Sequence, residues 1–179
     1  LDVLRGINAK MIARHPHVFG TESRVKSAAQ QTEDWEKIKS AERAAKAETG
    51  VLDGVALGLP ALTRALKLQK RAARVGFDWP STAEVVAKIV EEANELVEAR
   101  DTLGPDEIAE EYGDLMFVMV NLGRHLGLDA EACLRAANGK FTRRFQFIEA
   151  ELAKAGKRPA DSDLAEMDAL WDAAKRKGL

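Results

Sequence analysis

The chain has 179 residues, of which 46% are hydrophobic, 31% charged and 6% aromatic. This length predicts one domain, or one domain with a tail, and the low aromatic content favours helices over a β-sandwich. The 27 basic and 29 acidic residues leave a formal charge of −2, which excludes binding of duplex nucleic acid by bulk charge. One cysteine, Cys133, excludes an internal disulfide framework and a thiolate metal cluster.

No pattern for membrane insertion or export is present. No stretch reaches the roughly eighteen uncharged apolar residues that suggest a membrane-spanning helix, and the N-terminus lacks the features of a signal peptide. We therefore expect a cytoplasmic protein that binds neither membrane nor nucleic acid. Because the sequence begins at Leu1 rather than at methionine, we also expect a fragment of a longer protein or a processed product.

Apolar residues recur with helical spacing along most of the chain, and no window alternates in the manner of a confident strand. This spacing predicts helices at Leu1–Arg14, Val25–Ala47, Pro60–Arg74, Ser81–Thr102, Pro105–Leu126, Asp129–Lys154 and Asp163–Arg176. Short connections between long helices favour antiparallel neighbours, so we expect an all-α helical bundle.

Residue types at the predicted helix ends support these boundaries. Pro60 and Pro105 suit the first turn of a helix, where a missing backbone N–H is tolerated. Ser81 and Glu84 form a capping-box pattern, in which each side chain bonds the other residue's backbone N–H. Asp129 suits the N-cap of the long helix that follows it.

The glycine-rich loop "ETGVLDGVALGLP" marks the main boundary of the chain. It separates residues 1–20 and a linker helix and loop at 21–56 from a main domain at 57–179. An internal repeat relates the two ends, because "LRGINAKMIAR" from Leu4 matches "LRAANGKFTRR" from Leu134 at Leu, Arg, Asn, Lys and Arg. The shared residues are mostly polar, which core packing alone does not dictate, so we favour a duplication over a chance match.

The predicted helix Pro105–Leu126 is apolar on nearly every side and yet carries Glu111 and Asp114. A buried carboxylate is costly unless it is paired or binds a metal. The helix before it carries Glu92 and Glu95 at the same spacing, beside its apolar face. Antiparallel packing can bring these four carboxylates together, where they repel unless cations lie between them. Oxygen ligands without cysteine favour Mg²⁺, with Mn²⁺ as a substitute.

Two other interpretations compete with a magnesium site. Acidic residues on a helix usually form a face that is exposed to solvent. The acids that fit such a face are Glu91, Glu98, Glu107 and Glu110. A di-iron bundle is a rival, but it requires Glu-x-x-His on paired helices. Here the second pair is Glu-x-x-Asp, and His125 lies eleven residues beyond Asp114, so we assign His125 a structural role at the helix end.

Basic residues that suit a phosphate chain follow on the next helix. Lys140 and Arg144 are spaced i, i+4 and share one face, and arginine can bind two phosphate oxygens at once. Trp171 and Lys175 repeat this spacing in the last helix, where they can flank a nucleobase and a phosphate. The alternatives are a solvated basic face and, for Trp171, a packing anchor. No P-loop or GxGxxG motif is present, so a triphosphate is not held in the P-loop manner.

Several stretches together resemble a known family. "EEANE" and "EYGD", separated by fifteen residues, look like the EExxE…ExxD signature of the all-α NTP pyrophosphohydrolases. "ALTRALKLQKRAARVGFDWP", "VNLGRHLG" and "ANGKFTRRF" are similar to the C-terminal domain of the MazG family within that group. "INAKMIARHPHVFG" resembles the end of the MazG N-terminal domain. The resemblance covers nearly the whole chain and is weakest at Thr21–Thr49.

The resemblance implies a MazG-type helical bundle that forms a homodimer. It implies hydrolysis of a nucleoside triphosphate to the monophosphate and pyrophosphate with Mg²⁺, in housecleaning of the nucleotide pool. Residues 57–179 are then the catalytic domain. Residues 1–20 are the last helix of an upstream MazG-like repeat whose own acid pairs are absent.

Carried over residue by residue, the resemblance makes Glu92, Glu95, Glu111 and Asp114 the metal ligands. The implied nucleotide contacts are Lys140, Arg144, Trp171 and Lys175, and we add Asn121, on the border of the acid face, as a substrate-binding candidate. Glu91 or Glu95 is the candidate for polarising the attacking water. The alternative function is a non-catalytic helical module that binds nucleotides or assembles a larger MazG-like protein, and the presence of all four acids argues against it.

Overall fold

The computed structural model describes residues 2–14, 16–19, 27, 30, 34 and 50–179. The chain divides into two compact units, Leu1–Val55 and Ala56–Leu179. The start predicted for the main domain, residue 57, lies one residue from this division. No described residue lies in a β-strand, which confirms the predicted all-α class.

The first unit contains two described helices, α1 (Asp2–Arg14) and α2 (Pro16–Phe19). Helix α1 agrees with the predicted N-terminal helix and ends at the predicted residue, Arg14, while α2 begins at Pro16. The helix predicted at Val25–Ala47 lies outside the described residues, apart from single positions.

The second unit is a set of long helices joined by short connections. They are α3 (Ala61–Ala73), α4 (Thr82–Thr102), α5 (Pro105–His125), α6 (Ala130–Lys154) and α7 (Leu164–Arg176), with a short 3₁₀ helix at Pro159–Asp161 before α7. Every helix predicted in this unit agrees with an observed helix to within one residue at each end. None of the described helices is long and apolar enough to span a membrane.

The helix starts follow the predicted end residues in part. Pro105 begins α5 as predicted, whereas Pro60 lies at the N-cap of α3 and not in its first turn. Asp129 accepts a hydrogen bond from the backbone N–H of Ala132 at 3.0 Å and so caps α6. Ser81 lies at the N-cap of α4, but its side chain makes no capping hydrogen bond, so the predicted capping box with Glu84 is wrong. The backbone of Ser81 is extended, with φ −147° and ψ 159°, which is the usual conformation of an N-cap residue.

Helices α4 and α5 pack along each other, α3 packs against α5 and α6, and α7 packs against α6. The buried apolar side chains come from all the helices that follow α3: Val85, Ala99, Val118, Val120, Ile148, Leu152 and Ala174. Helix α3 contributes a buried polar link instead, because Gln69 Nε2 donates to the carbonyl oxygen of Phe117 at 2.8 Å. The core therefore holds α4 and α5 side by side, and α3 is tied to the middle of α5.

Leu152→Ala should lower the free energy of unfolding by about 2–5 kcal/mol, because Leu152 is only 1% exposed and its loss leaves a cavity. Leu134→Ala on the same helix should cost less than about 0.5 kcal/mol, since Leu134 is 47% exposed. Urea unfolding of both variants without added metal measures the difference. Similar losses in the two variants would contradict this description of the core.

Candidate metal centre

Three of the four predicted metal ligands converge between α4 and α5. Glu92, Glu95 and Glu111 each place one carboxylate oxygen within 4.8 Å of the others, and we call these three residues the acidic cluster. Glu92 is 5% exposed and lies among core residues of α4, Glu111 is half-buried, and Glu95 is exposed. The cluster is therefore buried on the side of Glu92 and open to solvent on the side of Glu95.

Asp114, the fourth predicted ligand, is exposed and lies outside the acidic cluster as defined by that distance. Its charge nevertheless acts on the cluster through Glu111. The pKa of Glu111 is raised above its ordinary value, first by burial and then by the negative charges of Glu95, Glu92, Asp114 and Glu110. The part of this rise that comes from neighbouring carboxylates is a repulsion that a bound cation would relieve.

A lysine contacts Glu92, the buried member of the acidic cluster. Lys88 Nζ lies 2.7 Å from Oε1 of Glu92 and 2.7 Å from Oε1 of Glu91. These two hydrogen bonds raise the pKa of Lys88 well above its ordinary value, so the side chain is charged at neutral pH. None of the motifs described above includes Lys88, although its spacing of three and four residues from Glu91 and Glu92 predicts both contacts.

The two acids proposed to polarise water differ in position. Glu95 belongs to the acidic cluster and is exposed, so it can reach both a metal and solvent. Glu91 lies outside the cluster, and its carboxylate accepts a hydrogen bond from Lys88. Its exposed position agrees with the solvated face predicted for it.

The donor set fits a hard divalent cation. The acidic cluster offers three carboxylates whose oxygens lie within 4.8 Å of one another, and carboxylate oxygens are the ligands that Mg²⁺ and Mn²⁺ prefer. Lys88 contributes a single positive charge, at Glu92, against the three carboxylates of the cluster. The cluster is thus compatible with a divalent metal.

Two of the residues predicted to contact a nucleotide, Arg144 on α6 and Trp171 on α7, lie against each other. The Arg144 guanidinium lies 5.3 Å from the centre of the Trp171 ring, and Arg144 Nε donates to the carbonyl oxygen of Leu179 at 2.7 Å. The Trp171 ring also lies 5.4 Å from that of Phe141, so Trp171 packs between the helices. This packing agrees with the alternative predicted for Trp171, and contact with a nucleotide stays a prediction.

The two lysines predicted beside them do not share this contact. Lys140 is exposed on α6, one helical turn before Arg144. Lys175 Nζ donates to a carboxylate oxygen of Asp172 at 2.9 Å, one turn earlier on its own helix. Both lysines remain near the surface, where they can meet a ligand without disturbing the core.

Asn121 and His125 belong to a polar network at the end of α5. Asn121 is 1% exposed, and its Oδ1 accepts a hydrogen bond from Arg124 Nε at 2.8 Å. Arg124 and His125 both contact Asp78 in the connection between α3 and α4, and the Arg124 guanidinium lowers the pKa of Asp78. The contact of His125 agrees with its predicted structural role, and a substrate contact for Asn121 stays a prediction.

Comparison with known proteins places this arrangement in a family. A family model described as phosphoribosyl-ATP pyrophosphohydrolase matches residues 59–141, which include both acid-bearing helices. The nucleoside triphosphate pyrophosphohydrolase of Escherichia coli K12 is 44% identical over 180 residues, covering 99% of this chain and 68% of the relative. The nucleoside triphosphate pyrophosphohydrolase/pyrophosphatase MazG of Thermotoga maritima is 41% identical over 174 residues, covering 97% of this chain and 65% of the relative.

A third relative extends the match to a longer protein. The uncharacterized protein YabN of Bacillus subtilis is 41% identical over 176 residues, covering 97% of this chain but only 35% of its own length. These matches confirm the resemblance seen in the sequence. The chain belongs to the MazG family of nucleoside triphosphate pyrophosphohydrolases.

Proposed function

We propose that this protein hydrolyses nucleoside triphosphates, with ribose or deoxyribose, to the monophosphate and pyrophosphate, and so clears unwanted nucleotides from the pool. One observation carries the proposal: the acidic cluster lies between α4 and α5 in a chain that is 44% identical to an E. coli enzyme named for this reaction. The cofactor is Mg²⁺, for which Mn²⁺ can substitute.

In this proposal Glu92, Glu95, Glu111 and Asp114 hold the metal. A divalent cation supplies positive charge to the phosphate chain and to the departing pyrophosphate. Glu92 is the most constrained of these ligands, since its burial leaves its side chain little freedom to move. Glu95 is our choice to polarise the attacking water and accept its proton, because it is exposed and belongs to the acidic cluster, whereas Glu91 is exposed but lies outside the cluster.

The substrate contacts in this proposal come from α6 and α7. Lys140 and Arg144 provide positive charge for the phosphate chain, and Arg144 lies against the Trp171 ring. Trp171 then offers a ring face to the nucleobase, with Lys175 one turn further along α7. Removal of any of these cations leaves transition-state charge uncompensated, which lowers turnover more than it disturbs the fold.

Pyrophosphate release from dATP, measured with and without Mg²⁺, tests the proposed activity. The wild-type protein should release pyrophosphate only with the metal. Asp114→Asn should lower turnover by at least about 100-fold because a charged ligand is lost. Its thermal melting temperature without metal should be unchanged or higher, since one negative charge near Glu111 is removed.

Asp106→Asn is the matched control for this variant. Asp106 is an exposed aspartate in the first turn of the same helix, away from the acidic cluster. Its turnover should stay near that of the wild type. Near-normal activity of Asp114→Asn would remove Asp114 from the site, and absence of metal-dependent hydrolysis in the wild type would favour the non-catalytic alternative.

Lys140→Ala should lower turnover strongly, by about 10- to 100-fold, because it removes a cation directed at triphosphate charge. Lys10→Ala, at the matching position of the repeat in α1, should leave turnover nearly unchanged, because α1 belongs to the first unit and the acidic cluster lies in the second. Both variants are assayed at saturating Mg²⁺ over a range of dATP concentrations. Equal losses would mean that α1 takes part in the site and that the proposed boundary at residue 57 is wrong.

We also propose that the protein is a homodimer. Val86, Val90 and Val97 lie along one side of α4 and are 45–55% exposed. Phe117 and Met119 of α5 are 38% and 46% exposed, although the sequence of this helix is apolar on nearly every side. An apolar helix face requires a partner that covers it, and a second copy of the chain supplies a matching one.

Light scattering at micromolar concentration should give twice the monomer mass for the wild type. Val90→Lys should shift the population towards monomer, because it places a charge on the proposed interface. Leu164→Lys is the control, since Leu164 is 80% exposed at the start of α7 and should leave the mass unchanged. A wild-type monomer would disprove the dimer.

A further inference from the structure

Lys88 has a position that the proposed reaction does not explain. Its ammonium group lies 2.7 Å from one oxygen of the buried Glu92 and 2.7 Å from one oxygen of the exposed Glu91. The Glu92 side chain is 7% exposed and the Glu91 side chain is 57% exposed. Lys88 therefore bridges a member of the acidic cluster and a carboxylate that lies outside it.

This bridge has a clear electrostatic effect in the metal-free protein. The carboxylates of the acidic cluster repel one another, because their oxygens lie within 4.8 Å of one another. A buried carboxylate without a partner would be more costly still. By bonding Glu92, Lys88 compensates the least solvated charge of the cluster and so stabilises the packing of α4 on α5 without metal.

The same bridge opposes a metal ion. A divalent cation held by the acidic cluster and the Lys88 ammonium group would both lie against Glu92, and like charges that close repel strongly in a partly buried site. Lys88 has another place to go, because Glu91 already accepts one of its hydrogen bonds and faces solvent. Moving towards Glu91 relieves the repulsion without leaving the lysine unpaired.

We propose that Lys88 is an internal counter-cation that holds Glu92 in the metal-free protein and withdraws to Glu91 when a divalent metal binds the acidic cluster. Metal binding is then an exchange of one cation for another at Glu92. Lys88 acts here as a positioning residue, through Glu92, and it makes the affinity for metal weaker than the carboxylates alone would give. This inference rests on the proposed metal site.

Binding of Mn²⁺ to the full chain without nucleotide, followed by electron paramagnetic resonance of the free ion, tests the exchange. Lys88→Met should bind Mn²⁺ roughly three- to tenfold more tightly, because the competing charge is gone. Its melting temperature without metal should fall, and the rise in melting temperature on adding Mn²⁺ should exceed that of the wild type. Lys88→Gln, which keeps a hydrogen-bond donor but no charge, should change the affinity in the same direction.

Lys154→Met is the matched control. Lys154 forms a comparable pair with Glu151 on α6, at 2.8 Å and three residues apart, outside the acidic cluster. Its Mn²⁺ affinity should equal that of the wild type. Unchanged or weaker binding by both Lys88 variants would overturn the inference, whereas a wild type that binds no Mn²⁺ would overturn the proposed metal site itself.

Glu91→Gln tests the place to which Lys88 withdraws. In the wild-type background this change should weaken Mn²⁺ binding, since the lysine loses its alternative partner and stays at Glu92. In the Lys88→Met background the same change should have a much smaller effect, because no lysine needs to move. Equal effects in the two backgrounds would overturn the role of Glu91 in the exchange.

Discussion

The packing of α4 against α5 is the interaction on which the candidate site depends. Each helix carries two carboxylates three residues apart, and close packing forces three of them within 4.8 Å of one another. That arrangement is unfavourable by itself, so apolar contacts must hold the helices together against the repulsion. Val85 and Ala99 of α4 and Val118 of α5, all almost fully buried, provide such contacts on either side of the cluster.

The protein compensates this repulsion unevenly. The most buried carboxylate, Glu92, has a lysine partner, while Glu111 is left with a raised pKa and Glu95 faces solvent. This arrangement leaves more negative charge than Lys88 can compensate, at the side of the cluster where a cation can enter. Because full compensation by lysines would remove the attraction for metal, the partial compensation by Lys88 suits a reversible metal site.

The contacts between α6 and α7 show what the spacing of residues along one helix does not predict. The i, i+4 spacing paired Lys140 with Arg144 and Trp171 with Lys175, each pair along one helix. In the structure Arg144 instead lies against Trp171 on the neighbouring helix, with Phe141 on the same ring. Spacing along a helix reports which residues share a face, but it does not report which face of another helix they meet.

The sequence by itself determined the helices of the second unit to within one residue, because helix ends depend on local features such as Asp129 at an N-cap and Pro105 in a first turn. It also determined the family, since the acid motif and its flanking stretches are contiguous in the chain. Only the tertiary structure decided which carboxylate is buried, that Asp114 is exposed, and that the oxygen of Asn121 is bonded to Arg124. Those properties depend on which side chains of distant segments come into contact, and helical periodicity carries no information about the partner.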